Sequence, residues 1–200
     1  MSQSDPEFVF AGGGTGGHLY PGLAVARAVR HRCPAARITF FTTTRPLDRD
    51  LLAREGFDQQ PQPVRPLSSK PWHWPGFWLA WRASVAAAAK FLRQRRPRAV
   101  LGLGGYAAGP PVVAAAAVGV RRAILNPDAV PGKANRHLAR KAQVVFTQWD
   151  VSHGLLPAGA ECRTVGCPIR AGFAEAAPDA GRALFGLDPA RPVLLVTGAS

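Results

Sequence analysis

The sequence predicts an α/β fold in which helices cover both faces of a parallel sheet. Apolar runs of strand length alternate along the chain with longer segments, rich in Ala, Leu and Arg, that have helical periodicity. The strand candidates are continuous apolar runs, which is typical of strands buried on both faces. The chain has 200 residues, 47% of them hydrophobic and 18% charged, so it can form one packed domain or one domain and part of another.

The first half of the chain contains three predicted strands and three predicted helices. Residues 7–11 form a short apolar strand, which ends in a glycine-rich run. Pro21 then favours the start of a helix through about residue 33, and this helix places Leu23, Ala26 and Val29 on one face. The remaining elements are a strand at 37–43, a helix at 47–55 that Gly56 ends, a weak strand at 57–64 and a long helix at 75–94.

The second half continues the same alternation and then changes. Strands are predicted at 99–103, 122–126 and 143–147, and helices at 109–118 and 132–141. Residues 150–192 are rich in Gly, Pro and Ala, which indicates loops with one helix near 179–185. The run PVLLV at 192–196 predicts a new strand, and the sequence stops where the helix of that unit is expected.

We therefore predict three segments. Residues 1–165 form an N-terminal α/β domain, residues 166–191 form a linker and helix, and residues 192–200 begin a second domain that is cut short.

The net charge and the cysteine content limit which partners and which cellular compartment the sequence predicts. The formal net charge of +13 favours anionic partners: phosphates, nucleic acid or an acidic membrane face. The N-terminus lacks a signal-peptide pattern, and the uncharged stretch at 99–120 is broken by Gly and Pro. Three cysteines do not make a disulfide framework, and Cys162 and Cys167 have only His153 nearby in sequence as a further metal ligand. We therefore expect a soluble, reduced, cytoplasmic protein without a metal site, which can touch a membrane but does not cross it.

A glycine run, GGGTGGH at residues 12–18, lies between the first strand and its helix. Glycines allow backbone N–H groups to approach an anion closely, and a helix N-terminus adds positive potential. The run lacks the Lys-Ser/Thr pair of a P-loop and the ribose-binding acid of a dinucleotide fold. His18 follows the run and could act as a general base near neutral pH. The alternatives are a tight structural turn and a histidine that only hydrogen-bonds the loop.

A second turn of this type, GLGGYAAG at residues 102–109, also joins a buried strand to a helix. In a parallel sheet both turns emerge at the carboxyl edge, where α/β proteins bind their ligands. Two such loops facing one cleft suit a diphosphate better than a single phosphate. The alternative is a turn that serves packing alone.

Residues between Gln59 and Pro127 include ten Lys or Arg and no Asp or Glu, together with four of the five tryptophans. Aromatic and basic side chains recur there at helical spacing, which is typical of a surface that enters the headgroup layer of an anionic membrane. The predicted membrane-facing residues are Trp74, Phe77, Trp78, Trp81 and Arg82. A core-facing helix with a solvated basic rim is the alternative. We expect no nucleic-acid partner, because no nucleic-acid fold signature accompanies the stretch.

The loop at residues 126–132 follows a strand and therefore also lies at the carboxyl edge. Asp128 is the only carboxylate that the sequence places near the predicted cleft, although Asn-Pro-Asp is also ordinary turn chemistry. Asn135 lies in the following helix, where it can point into the cleft or bond its own backbone.

Five motifs together resemble the MurG family of peptidoglycan glycosyltransferases. They are GGGTGGHLYPGLAVARAV, VLGLGGYAAGPPVVAAAAVGV, DAVPGKANRHLARKA, VGCPIRAGF and VLLVTGAS, and they run over nearly the whole chain. The resemblance implies two Rossmann-like domains in the GT-B arrangement, with this chain as the N-terminal, acceptor and membrane-facing half. It implies transfer of N-acetylglucosamine from UDP-N-acetylglucosamine to lipid I, the undecaprenyl-diphosphate-linked muramyl pentapeptide, to give lipid II, with inversion and without a metal or other cofactor. The location implied is the cytoplasmic face of the inner membrane, peripherally bound.

The resemblance also implies roles for individual residues. Contacts with the donor are implied for Thr15, Gly16, Gly17, Arg170 and Ser200, an essential catalytic role for His18, and contacts with the acceptor diphosphate for Gly104, Gly105 and Tyr106. In the mechanism that this implies, the acceptor hydroxyl attacks the anomeric carbon of the donor as UDP leaves. His18 is our first candidate for the base or for positioning the acceptor, and Asp128 is the second.

Two positions depart from the family pattern. The family has His-Glu-Gln-Asn where this chain has Leu125-Asn126-Pro127-Asp128, so Asp128 replaces an asparagine that contacts the donor sugar. Cys167 likewise replaces an asparagine. An acid at 128 loses an amide donor and either weakens nucleotide binding or supplies a base. Two alternatives therefore stay open: a nucleotide-sugar transferase with another polyprenyl or glycolipid acceptor, and a non-catalytic module that binds anionic membranes.

Overall fold

The computed structural model describes residues 5–170, 172–175 and 177–196. The chain divides into two units between Pro168 and Ile169, and each is described here by itself.

The first unit is built on a seven-stranded sheet. Its strands are β1 (Glu7–Ala11), β2 (Arg37–Thr42), β3 (Asp58–Pro61), β4 (Ala99–Gly102), β5 (Arg122–Asn126), β6 (Val144–Thr147) and β7 (Cys162–Thr164). All pairs are parallel, in the order β3-β2-β1-β4-β5-β6-β7. The helices of this unit are α1 (Gly16–Arg32), α2 (Pro46–Glu55), α3 (Trp74–Arg95), α4 (Gly109–Val118) and α5 (Lys133–Ala139), with short 3-10 turns at Pro71–His73, Tyr106–Ala108 and Asp150–Leu155. The predicted doubly covered parallel sheet is confirmed.

Two apolar clusters lie on opposite faces of this sheet. Alternate residues of β1 divide between them, with Phe10 in one cluster and Val9 in the other. The Phe10 cluster includes buried leucines of α1 and α2. The Val9 cluster includes buried residues of α3, α4 and α5. The sheet is therefore covered on both faces, as its continuous apolar strands predict.

The strand order reverses direction at β1. The chain proceeds outward from β1 to β2 and β3, then returns to the other side of β1 with β4. Parallel sheets form a crevice at such a switch point, beside the carboxyl ends of the two strands. Here those ends are neighbours, since Ala11 of β1 pairs with Gly102 of β4. The glycine-rich turns follow these two strands directly.

Three elements differ from the prediction. Helix α1 begins at Gly16, because Thr15 before it still has extended backbone angles. Pro21 therefore lies inside the helix, where it lacks the N–H that would pair with Gly17. Strand β7 was not predicted, because its sequence CRT has only three residues and no apolar run. Strand β3 has four residues rather than eight.

The second unit contains two short helices, α6 (Gly172–Glu175) and α7 (Pro178–Leu184). The strand predicted at 192–196 was wrong for this structure, since these residues pair with no strand in the described ranges. Leu194 and Leu195 are 88% and 80% exposed. A strand requires the hydrogen bonds of a neighbouring strand, which an apolar run alone does not provide.

Across the described residues, no helix is both long enough and apolar enough to span a bilayer.

Candidate active site

The two glycine loops lie against each other at the switch point. A Cβ placed on Gly14 would come within 3.4 Å of the hydroxyl of Tyr106, and one on Gly105 within 3.7 Å of the carbonyl oxygen of Gly13. A Cβ on Gly104 would lie 2.8 Å from Cδ2 of His18. The two loops predicted from sequence therefore lie in contact at one edge of the sheet, with His18 of the first loop packed on the second.

Glycine is required at two of these positions by both conformation and space. Gly104 has φ of 101°, and a side chain there would also displace the His18 ring. Gly13 has φ of 148°, and its Cβ would lie 2.5 Å from Oδ2 of Asp48. Residues with a Cβ rarely adopt such positive φ values. The close approach of the two loops therefore depends on the absence of side chains.

The side chain of Asp48 binds the backbone of the first loop. It lies in the first turn of α2, is fully buried, and both of its carboxylate oxygens lie 3.0 Å from the backbone N of Gly14. Its Oδ2 also accepts hydrogen bonds from the backbone N–H and the hydroxyl of Thr43, at 3.1 and 2.6 Å. Arg45 donates to the carbonyl oxygen of Gly14 at 2.7 Å. The N–H of Gly14 is therefore occupied and cannot bind a ligand.

The expectation that Asp128 is the only carboxylate near the cleft was therefore wrong. Asp48 follows β2, the neighbour of β1, and so reaches the same edge of the sheet. Its position in the first turn after a buried strand was the available sequence signal.

His18 stands in the first turn of α1, half-buried between the loops. Its Nδ1 lies 2.8 Å from the hydroxyl oxygen of Thr15. For Nε2 to accept a proton, Nδ1 must carry the ring hydrogen and donate it to Thr15. Nε2 lies 3.1 Å from the Cβ position of Gly104, so this nitrogen points at the second loop.

A buried amide pair borders the second loop. Nδ2 of Asn135 donates to Oδ1 of Asn126 at 2.9 Å, and Nδ2 of Asn126 donates to the carbonyl oxygen of Asp128 at 2.7 Å. Asn135 is buried and its Nδ2 lies 3.3 Å from the Cβ position of Gly104, so it does point inward. Its Oδ1 has no hydrogen-bond partner among the described residues. Asn126, which sequence reasoning did not single out, is the link between Asn135 and the Asp128 loop.

The side chain of Asp128 is exposed, while its backbone is fixed. Ser152 donates to the carbonyl oxygens of Asp128 and Ala129, each at 3.0 Å. Burial raises the pKa of the Cys167 thiol, and the negative charge of Asp128 raises it further. The three cysteines are free thiols. Within the described ranges, no group of three His, Cys, Asp or Glu side chains could hold a metal ion.

Two candidate donor-contacting residues do not belong to the first unit. Arg170 belongs to the second unit, where its guanidinium lies 5.1 Å from the ring centre of Phe173. Ser200 lies outside the described residues.

The aromatic segment divides into exposed and packed side chains. Trp72, Trp74 and Trp78 are 71%, 44% and 54% exposed, and Leu79 and Arg82 are also exposed. Phe77 and Trp81 are half-buried: the Trp81 ring packs against Gly109 of α4 and stacks on Phe77. We call the three exposed tryptophans with Leu79 and Arg82 the aromatic surface. The segment therefore has an exposed part and a part that packs against α4.

A parallel sheet with two glycine loops and a histidine at its switch point defines a Rossmann-like domain suited to phosphate-bearing ligands. Comparison with known proteins agrees: residues 8–147 match the glycosyltransferase family 28 N-terminal domain. The chain therefore belongs to glycosyltransferase family 28, and the predicted fold of a GT-B N-terminal half is confirmed.

Among curated relatives, the chain is 35% identical over its whole length to the Bifidobacterium longum UDP-N-acetylglucosamine–N-acetylmuramyl-(pentapeptide) pyrophosphoryl-undecaprenol N-acetylglucosamine transferase, of which it covers 54%. It is 39% identical over 96% of its length to the enzyme of that name from Streptomyces avermitilis, of which it covers 53%. The chain thus spans about half the length of these relatives. The crystal structure of Acinetobacter baumannii MurG superposes on 82% of the chain, with a TM-score of 0.65 and 26% identity, and 46% of that structure is covered.

Proposed function

We propose that the protein containing this chain transfers N-acetylglucosamine from UDP-N-acetylglucosamine to lipid I, which yields lipid II. The observation that carries the proposal is the contact between His18 and the second glycine loop. His18, a group able to accept a proton, thus lies where the two glycine loops meet, which supports a catalytic role beside bound phosphate groups. The similarity to the named transferases supports the choice of donor and acceptor.

In this proposal the first loop and α1 serve the charged part of the substrates. The first N–H groups of a helix have no partner within the helix, and those of Gly16 and Gly17 open the first turn of α1. They and the positive end of the helix stabilise negative charge that develops on a diphosphate. Gly104, Gly105 and Tyr106 bind the diphosphate of the acceptor from the opposite side. Thr15 holds the ring of His18, and Nε2 accepts the proton of the attacking hydroxyl as the bond between sugar and UDP breaks.

Asp128 is proposed to act at the sugar end of the crevice. Its exposed carboxylate can accept a proton, or a hydrogen bond from a sugar hydroxyl. Unlike an asparagine amide, it cannot donate a hydrogen bond. Asn135, with its unpartnered Oδ1, is a second contact for the acceptor. Arg170 and Ser200 are assigned to the donor on the resemblance alone.

The proposal includes three segments along the chain. Residues 1–165 constitute the acceptor domain, residues 166–191 form the link, and residues 192–200 begin a donor-binding domain.

The proposal also includes attachment to a membrane. The aromatic surface rests on the anionic cytoplasmic face of the inner membrane, where a polyprenyl acceptor resides.

The test is transfer of labelled sugar to lipid I by the chain together with any sequence that continues it. Labelled UDP-N-acetylglucosamine is expected to give labelled lipid II, with UDP-glucose and UDP-N-acetylgalactosamine giving little. Transfer from another sugar nucleotide, or to another polyprenyl acceptor only, would favour the transferase of different specificity. Binding to anionic vesicles without any transfer would favour the membrane-binding module.

A further inference from the structure

A basic pocket lies at the amino edge of the sheet, opposite the glycine loops. Its cavity of about 570 Å³ opens where α3 and α4 end and where β4 and β5 begin. Four arginines border it: Arg93, Arg96, Arg98 and Arg121. The floor is apolar, with buried Leu92 and Pro97 and partly buried Val118 and Val120. We call this cavity the arginine pocket.

The four guanidinium groups are not neutralised by the protein. All four side chains are exposed and have no hydrogen-bond or ion-pair partner among the described residues. The segment that forms the pocket contains no acid between Gln59 and Pro127. Glu7, at the start of β1, is engaged by Arg95, which does not line the pocket.

The C-termini of α3 and α4 offset only part of the positive charge of the four arginines. Each helix C-terminus carries a negative partial charge of about 0.5, so α3 and α4 together offset roughly one of the four positive charges. Three unpaired positive charges around an apolar floor indicate a site for an anion rather than a set of helix caps.

Arg96 provides a second observation that points to a ligand. It ends α3 with φ of 48° and ψ of 53°, and it is the only residue other than glycine with positive φ in the described ranges. Glycine is the residue that helices most often use there, because a Cβ strains this conformation. The strain lies in the backbone, and it is kept at a residue whose side chain lines the arginine pocket, where glycine would avoid it.

We propose that the arginine pocket binds a small, soluble, multiply charged phosphate such as a nucleoside triphosphate or a short polyphosphate. Guanidinium groups bind phosphate through paired, charge-assisted hydrogen bonds. The volume lies within the range of small-molecule sites, and the apolar floor can take a base.

The position of the pocket favours a soluble ligand over a lipid headgroup. Helix α3 has 22 residues and is therefore about 33 Å long. The aromatic surface occupies its first turns and the arginine pocket its last. A membrane that the aromatic surface enters would reach the arginine pocket only if α3 lay flat along it, so a lipid headgroup is the less favoured occupant.

The test is calorimetric titration of the protein with ATP and, separately, with tripolyphosphate at physiological salt. One saturable site is expected for at least one of these probes. The paired change Arg98→Gln and Arg121→Gln is expected to weaken it at least about tenfold, since each removes a charge-assisted contact. Arg32→Gln, in the last turn of α1 on the other face of the sheet, is the matched control and is expected to leave affinity unchanged. Any weaker binding of ATP or tripolyphosphate at the glycine loops is expected to be the same in the parent protein and in all of these variants.

Arg96→Gly separates binding from folding. It relieves the left-handed strain, so the thermal midpoint is expected to stay or rise while affinity falls at least threefold. Equal loss of affinity in Arg32→Gln would show a general effect of net charge and overturn the proposal. The proposal would also be overturned if neither ATP nor tripolyphosphate bound at a saturable site. Vesicle binding that depended on Arg98 and Arg121 would in that case point to a lipid headgroup instead.

Discussion

Both carboxylate oxygens of Asp48 lie 3.0 Å from the backbone nitrogen of Gly14. This contact fixes a glycine loop whose residues would otherwise have unusual freedom. The loop that carries Thr15 and His18 is thus preorganised by a buried charge from the neighbouring strand–helix unit.

Asp48→Asn is expected to destabilise the protein. The amide can keep only part of the hydrogen bonding, because both carboxylate oxygens lie 3.0 Å from the Gly14 nitrogen, so the NH2 faces that N–H in either orientation. An unsatisfied buried donor predicts a loss of roughly 1–3 kcal/mol in the free energy of unfolding. Urea denaturation measures it. Asp50→Asn, two residues on and exposed beside Arg49, is the control and should change stability by less than about 0.5 kcal/mol. Equal effects of the two changes would contradict the role given to Asp48.

Gly104→Ala is expected to lower transfer activity and stability together. The alanine adopts φ of 101° only with strain of about 1–3 kcal/mol, and its Cβ pushes on the His18 ring. Gly132→Ala is the matched control, because Gly132 has φ of −61° and open space around its Cβ position. The comparison uses initial rates of sugar transfer and denaturation curves. Normal activity in Gly104→Ala would mean that the loops need not approach closely.

The reactivity of Cys167 reports the charge of Asp128. Burial raises the pKa of Cys167, and the negative charge of Asp128 raises this pKa by a smaller amount. A smaller fraction of the thiol is therefore ionised to thiolate at a given pH. Asp128→Asn removes the second cause, and the pH profile of Cys167 alkylation is expected to shift to lower pH. Cys162, whose pKa is raised by burial alone, is the internal control and should keep its profile. Peptide mass spectrometry after timed iodoacetamide treatment measures both. Equal shifts at both cysteines would indicate a general change of structure.

Trp78→Ala is expected to weaken binding to vesicles that contain anionic lipid, because Trp78 stands exposed in the aromatic surface. Trp149→Ala is the control, since Trp149 is similarly exposed, at 50%, but lies outside the aromatic surface. Vesicle co-sedimentation measures the difference. Equal binding by the two variants would remove the aromatic surface from membrane attachment.

Much of the fold was predictable, because its signals are local in sequence. The helix at Gly109–Val118 and the strand at Arg122–Asn126 have the predicted bounds, since glycines or polar residues delimit apolar runs there. Strand β7 was not predictable from its three residues, because its pairing with β6 is a tertiary contact. The same reason explains the failure of the strand predicted at 192–196, whose apolar residues have no pairing strand within the described ranges.

The candidate site was predictable where glycines mark it and not where tertiary contacts build it. Both loops and His18 were found from their position after apolar strands. The support from Asp48 crosses 34 positions of sequence, and the Asn126–Asn135 bond joins a strand to a helix. Such contacts depend on the order of strands, which the pattern of elements does not specify.

The most direct test of the account is the transfer rate of His18→Ala with UDP-N-acetylglucosamine and lipid I. Loss of a general base is expected to lower kcat at least about 100-fold. His31→Ala, exposed at the other end of α1, should retain the parent rate. A rate for His18→Ala within about twofold of the parent would contradict the central role given to the histidine between the loops.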